Sequence, residues 1–156
     1  MGEIVASENE MTVMDMEASL EHLSRGTVRH VDALLIVAEP YYRALETAAR
    51  TVPLARGLGI ERIYAIANKI RNAEDEKAVT DYCRTHDLEI IATIPFDEKV
   101  TTADRAGRSI LDAAPDSHLV REVTALAGKL LEKLSEGSSS ATVNKEPLAG
   151  EASGRC

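Results

Sequence analysis

A chain of 156 residues is long enough for one domain with its own core. Its net charge of −8, from 18 basic and 26 acidic side chains, excludes a general nucleic-acid surface, which needs a basic stripe. No apolar run reaches the roughly 18 residues of a membrane span, and residues 1–30 show no basic start followed by an apolar segment, so the cytoplasm is the expected compartment.

One Phe, four Tyr and no Trp leave the core to Leu, Ile, Val and Ala, the composition of a buried parallel sheet. Residues 1–9 carry no pattern and read as a ragged start. Met11–Met14 reads as a short buried strand that ends on Asp15, with a short helix or ordered loop over Ala18–Arg25. Ala33–Val37 is a continuous apolar run, closed by Glu39-Pro40, and suggests a parallel strand covered on both faces.

Tyr41–Gly57 has helical spacing through Leu45, Ala48, Ala49 and Val52. Pro53, which has no backbone donor, predicts a kink or break there, and Gly57 and Gly59 end the helix. Arg62–Ala67 is the next strand, running into Asn68-Lys69. Ala73–His86 follows as a helix, Leu88–Ile94 as the last strand, and Pro95-Phe96-Asp97 closes it. Thr101–Ser109 predicts a short helix and Asp112–Pro115 a turn. Ser117 caps a long helix to Leu134, with Leu119, Val123, Leu126 and Leu130 on one stripe. From Ser135 to Cys156 the composition is that of a disordered tail.

The alternation of strands and helices predicts an α/β fold, a partial three-layer parallel sheet with helices on both faces, over residues 10–134. Asp15, Asn68 and Pro95-Phe96-Asp97 all follow the ends of presumed parallel strands, where such sheets bind ligands. Read from residue type alone, Asp15 serves equally as a helix cap, Asn68 as a turn residue and Pro95 as a strand stop. Cys83 and Cys156 lie far apart with no C-x-x-C spacing, and His30, His86 and His118 show no metal spacing.

The run Asp15-Met-Glu-Ala-Ser-Leu-Glu-His-Leu-Ser-Arg-Gly-Thr27 closely resembles the switch segment of carbon monoxide dehydrogenase maturation ATPases of the CooC type. These are nickel-insertion proteins akin to the MinD/ParA ATPases and the nitrogenase iron protein, within the P-loop superfamily. The likeness continues through Ala33–Val37, Ala67-Asn68-Lys69 and Ile94-Pro95-Phe96-Asp97. It implies ATP, magnesium and nickel as ligands, a self-dimer, and carbon monoxide dehydrogenase as client. By position it implies that Asp15 is the catalytic switch aspartate, holding magnesium through water. It implies that Asn68 hydrogen-bonds adenine, and that Pro95, Phe96 and Asp97 form the loop over the base. Arg71 stands where a guanine pocket would carry Asp, which favours adenine.

Several departures bear on activity. No Gly-x-x-x-x-Gly-Lys-Ser/Thr loop exists; the sole Gly-Lys pair, Gly128-Lys129, precedes Leu130 inside a helix pattern. The C-x-C pair that relatives use for nickel is absent, and Ser19 replaces a glycine expected to approach the γ-phosphate. In the wider family the P-loop strand lies between the switch strand and the next, here between Met11–Met14 and Ala33–Val37. The expectation is therefore the C-terminal part of an ATP-binding nickel-insertion accessory protein, lacking the P-loop half and unable to hydrolyse ATP alone. The alternative expectation is a non-catalytic interaction module derived from a MinD/ParA-like ATPase.

Overall fold

The computed structural model describes residues 11–16 and 31–138. Three strands, β1 (Leu34–Ala38), β2 (Ile63–Ile70) and β3 (Glu89–Pro95), form one sheet in the order β1-β2-β3, with both pairings parallel. The connections are helices α1 (Tyr42–Gly57) and α2 (Ala73–Thr85). After β3 come two short helices, α3 (Glu98–Arg105) and α4 (Ile110–Ala113), and the long α5 (His118–Ser138).

Alternation of side chains along each strand splits the core into two layers. Ile36, Ala38, Ile63, Ala65 and Ala67 turn to one face and pack with Leu45, Ala48 and Val52 of α1 and with Val79 and Cys83 of α2. Tyr64, Ile66, Ile91 and Ile94 turn to the other face and meet Leu126 and Leu130 of α5. The expected α/β architecture, a parallel sheet with helices on both faces, is what the chain builds. Burial also accounts for Cys83: its thiol lies inside the first layer, where loss of hydration of the thiolate pushes its pKa up.

Local chemistry fixes the element ends. Asn72 Oδ1 accepts from the Asp75 N–H at 2.8 Å and starts α2, and Ser109 and Asp97 cap α4 and α3 in the same way. Ser117, fully buried, accepts from the Val120 N–H at 3.3 Å and caps α5 as its sequence suggests. Gly59 at φ 86° supplies the left-handed turn that leads α1 toward β2.

The structure corrects several expectations. Met11–Met14 forms no strand: Val13 is 81% exposed, and among the described residues no strand lies against the free edge of β1 to hydrogen-bond with it. β1 is covered only in part on its second face: Leu35 packs against the layer beneath α5, while Val37, two residues on, is 57% exposed. Pro53 does not divide α1: the helix runs through it from Tyr42 to Gly57 with the proline on the exposed side, at the loss of the one bond its N–H would give to the Ala49 carbonyl. β2 runs three residues beyond Ala67, to Ile70. The helix expected at Thr101 begins at Glu98, and of the turn expected over Asp112–Pro115 the first two residues belong to α4. α5 continues four residues past Leu134, to Ser138, into the stretch expected to be a tail. The ragged start 1–9, the Ala18–Arg25 element, Ser19 and the tail beyond Ser138 lie outside the described residues.

Candidate functional site

Because the strands are parallel, their carboxyl ends share one edge of the sheet, and three loops meet there: Glu39–Tyr41 after β1, the Asn68–Asn72 corner of β2, and Phe96-Asp97 after β3. Asn68 and Lys69 form a bulge. Ala67 faces Thr93 and Ile70 faces Pro95, so β2 carries one residue more than β3 across this step. Lys69 absorbs it with a left-handed backbone, φ 57°, uncommon for a residue bearing a side chain. Its ammonium pairs with Glu39 Oε1 at 2.6 Å, tying the β1 loop to the bulge.

The half-buried Asn68 sits at this kink, and its carboxamide makes no hydrogen bond to any described residue. An amide with a free donor and a free acceptor on a rigid strand end is suited to a heterocycle edge. Just past Ile70 the ladder gives one more bond, Phe96 N–H to Ile70 C=O at 2.9 Å, which sets Arg71 beside Phe96. The Arg71 guanidinium carbon lies 4.9 Å from the centroid of the Phe96 ring, and Nη1 donates to the Tyr41 hydroxyl at 3.1 Å. Phe96 and Tyr41 are 40% and 47% exposed, so the site is an open shelf.

Asn68, Pro95, Phe96 and Asp97 are thus brought to one edge, as the sequence reading placed them. Asp97 has a second duty there, since its Oδ1 accepts the Lys99 N–H at 3.0 Å and starts α3. Asp15 is exposed, and no hydrogen bond or ion pair joins it to those four residues among the described residues. The neighbouring Met16 packs against the first core layer, which keeps this stretch against the α1 and α2 side of the sheet. Sequence reasoning missed Glu39, Tyr41 and Lys69. The single cue was the Asn-Lys pair at a strand end, which does not announce a bulge.

Among the described residues no three His, Cys, Asp or Glu side chains cluster to hold a metal, and no helix is long and apolar enough to cross a membrane. A lone exposed carboxylate such as Asp15 fits the outer role that magnesium allows, since that ion keeps most of its waters and takes its remaining ligands from phosphate. The shelf fits a base. Nothing in the sequence supplies the glycine-rich loop a triphosphate needs.

No family model matches the chain. The carbon monoxide dehydrogenase accessory protein CooC of Rhodospirillum rubrum is 40% identical over 131 residues, which is 84% of this chain and 48% of that protein. The chain is a CooC homologue. An uncharacterized ATP-binding protein of Methanocaldococcus jannaschii is 38% identical over 108 residues, 69% of this homologue and 42% of that protein. The homologue therefore spans about half the length of the curated relatives it matches. Among solved structures, the MinD cell division protein of Aquifex aeolicus superposes with a TM-score of 0.58 at 21% identity, covering 67% of this chain and 46% of MinD. The cell division ATPase MinD of Pyrococcus furiosus gives 0.54 at 17% identity, covering 65% and 43%. Both show the fold: the CooC homologue shares with MinD a parallel sheet flanked by helices.

Proposed function

We propose that this chain is the C-terminal, base-side part of an ATP-binding accessory protein that inserts nickel into carbon monoxide dehydrogenase, and that by itself it holds a base without gripping the phosphates. The observation that carries the reading is the placement of the unpartnered Asn68 carboxamide and the Phe96-Asp97 loop at one sheet edge, in a chain 40% identical to CooC. Asn68 would read the adenine edge, donating to a ring nitrogen and accepting from the exocyclic amine. Pro95 would start, and Phe96 and Asp97 form, the loop over the base. Asp15 would meet magnesium through water once a phosphate cradle from the remaining part of the protein is present. ATP bound there supplies the phosphoryl chemistry; this chain positions its base. Nickel is cargo, and the described residues offer no ligand cluster for it. A self-dimer and a cytoplasmic place complete the reading.

The β1 edge, unpaired among the described residues, favours a second reading, a non-catalytic module that docks a partner through that edge. Phosphate release separates active from inactive forms of either reading. Purified chain with ATP and magnesium is expected to release phosphate no faster than buffer. Turnover that disappears in Asp15→Ala would overturn the claim that the chain is incompetent alone.

A further inference from the structure

Arg71 is a charged group at the shelf that the proposed base site does not employ; Glu39 and Lys69 there pair with each other, whereas the surroundings of Arg71 are unusual for an exposed arginine. Three elements hold it. The N–H of Arg71 donates to Asp75 Oδ2 at 3.1 Å, fixing the backbone where β2 passes into α2. Its guanidinium lies over the Phe96 ring from the loop after β3, and the Tyr41 hydroxyl after β1 accepts from Nη1. No carboxylate pairs with this guanidinium among the described residues, although acidic side chains outnumber basic ones in the chain. A guanidinium without an ion-pair partner and set on an aromatic ring is a flat cation with one face covered and one face open.

From this arrangement we propose that Arg71 is a base-stacking residue: the open face of its guanidinium is the platform on which a purine lies while Asn68 reads the purine's edge. The inference rests on the base-side reading above and adds to it the surface that carries the ring. Arginine planes and aromatic rings are the two side-chain surfaces on which nucleobases stack. Here the Phe96 ring lies under the guanidinium, and the hydrogen bond from Nη1 to the Tyr41 hydroxyl anchors its other end. Stacking grows with ring area, so the platform selects a purine over a pyrimidine.

The test is a titration of the isotopically labelled chain with adenosine and with cytidine, followed by amide and arginine side-chain NMR shifts. Wild-type, Arg71→Ala, Arg71→Lys and Asn68→Ala are compared; Arg71 is exposed, and the amide spectrum of each variant reports its fold directly. Arg71→Ala is expected to weaken adenosine roughly tenfold, the scale of one base–side-chain stack. Arg71→Lys, which restores the charge without the plane, is expected to weaken it nearly as much. The Arg71 side-chain protons should move to lower frequency under the ring current of bound adenosine, and cytidine should bind more weakly than adenosine. If wild-type binds adenosine, Asn68→Ala weakens it and Arg71→Ala does not, the platform is refuted while the base-side reading stands. Adenosine binding undiminished in Arg71→Lys would reduce the role to charge and refute stacking. If wild-type binds neither nucleoside, the base-side reading fails and the platform falls with it.

Discussion

Lys69 shows how a single backbone angle places the site. A side chain at φ 57° costs about 1–2 kcal/mol relative to ordinary backbone, and such strain persists only where surrounding contacts enforce it. The exposed pair with Glu39 contributes at most about 1 kcal/mol, so the β2–β3 ladder on either side of the bulge must do most of the holding. Lys69→Gly is therefore expected to change urea stability by less than about 1 kcal/mol, relief of strain offsetting the lost pair and the freer unfolded chain. Lys69→Val should destabilise by about 1–3 kcal/mol, because a β-branched side chain resists this conformation. Equal stabilities for the two variants would mean the bulge is not set by residue 69.

A second residue-scale prediction concerns pH. The Tyr82 hydroxyl donates to Glu46 Oε1 at 2.7 Å, and partial burial together with that hydrogen bond to the carboxylate raises the Tyr82 pKa from 10.0 to about 12. The same bond, chiefly, lowers the Glu46 pKa. Between pH 10 and about 12 the folded chain keeps a proton that the unfolded chain has released, so stability is present in full below 10 and falls as pH rises through this window. Tyr82→Phe is expected to flatten that alkaline decline in urea midpoints measured across the window. An unchanged slope would show that Tyr82 does not carry it.

At the scale of elements, the two sheet faces differ in what a lost side chain costs. Leu45 of α1, 6% exposed within the first core layer, should cost about 2–5 kcal/mol as Leu45→Ala. Leu131 of α5, 55% exposed, should cost within about 0.5 kcal/mol as Leu131→Ala. Thermal or urea unfolding of both reads the difference, and comparable losses would mean α5 seats differently.

Periodicity made these elements legible before the structure, and periodicity also set the limits. The helical stripe of α5 and the Ser117 cap were readable because both are local. The apolar run Ala33–Val37 was read as buried on both faces, yet Val37 lies open, because composition reports how apolar a strand is and not which helix arrives to cover it. Asp97 was legible as a ligand-loop residue but not as the N-cap of α3, although Asp ahead of Glu98-Lys99 is a capping pattern. The base-side residues were found through strand ends, whereas the Arg71–Phe96 contact depends on a bulge and one extra ladder bond that no local signal encodes.

Across the whole molecule the two sheet edges are managed differently. The β3 edge is guarded by lysines of α5: Lys129 Nζ reaches the Ile91 carbonyl at 3.4 Å, and Lys133 pairs with Glu89 at 2.8 Å while lying 5.1 Å from the Tyr64 ring centroid. The β1 edge, Leu-Leu-Ile-Val-Ala, has no such guard among the described residues, and an apolar edge of this kind invites a further strand. The two edges thus differ in kind: one is held by an ion pair and a lysine contact from α5, the other is bare among the described residues.

Calorimetry comparing magnesium-ATP with adenosine on the isolated chain tests the proposed base-side reading most directly. Affinities for the two within about a factor of 3 are expected, since every contact the proposal assigns to this chain alone is to the base, and a difference below about 1 kcal/mol leaves no room for a phosphate cradle. Magnesium-dependent binding of ATP a hundredfold or more above adenosine, roughly 2.7 kcal/mol, would place a working triphosphate site in this chain and contradict the account.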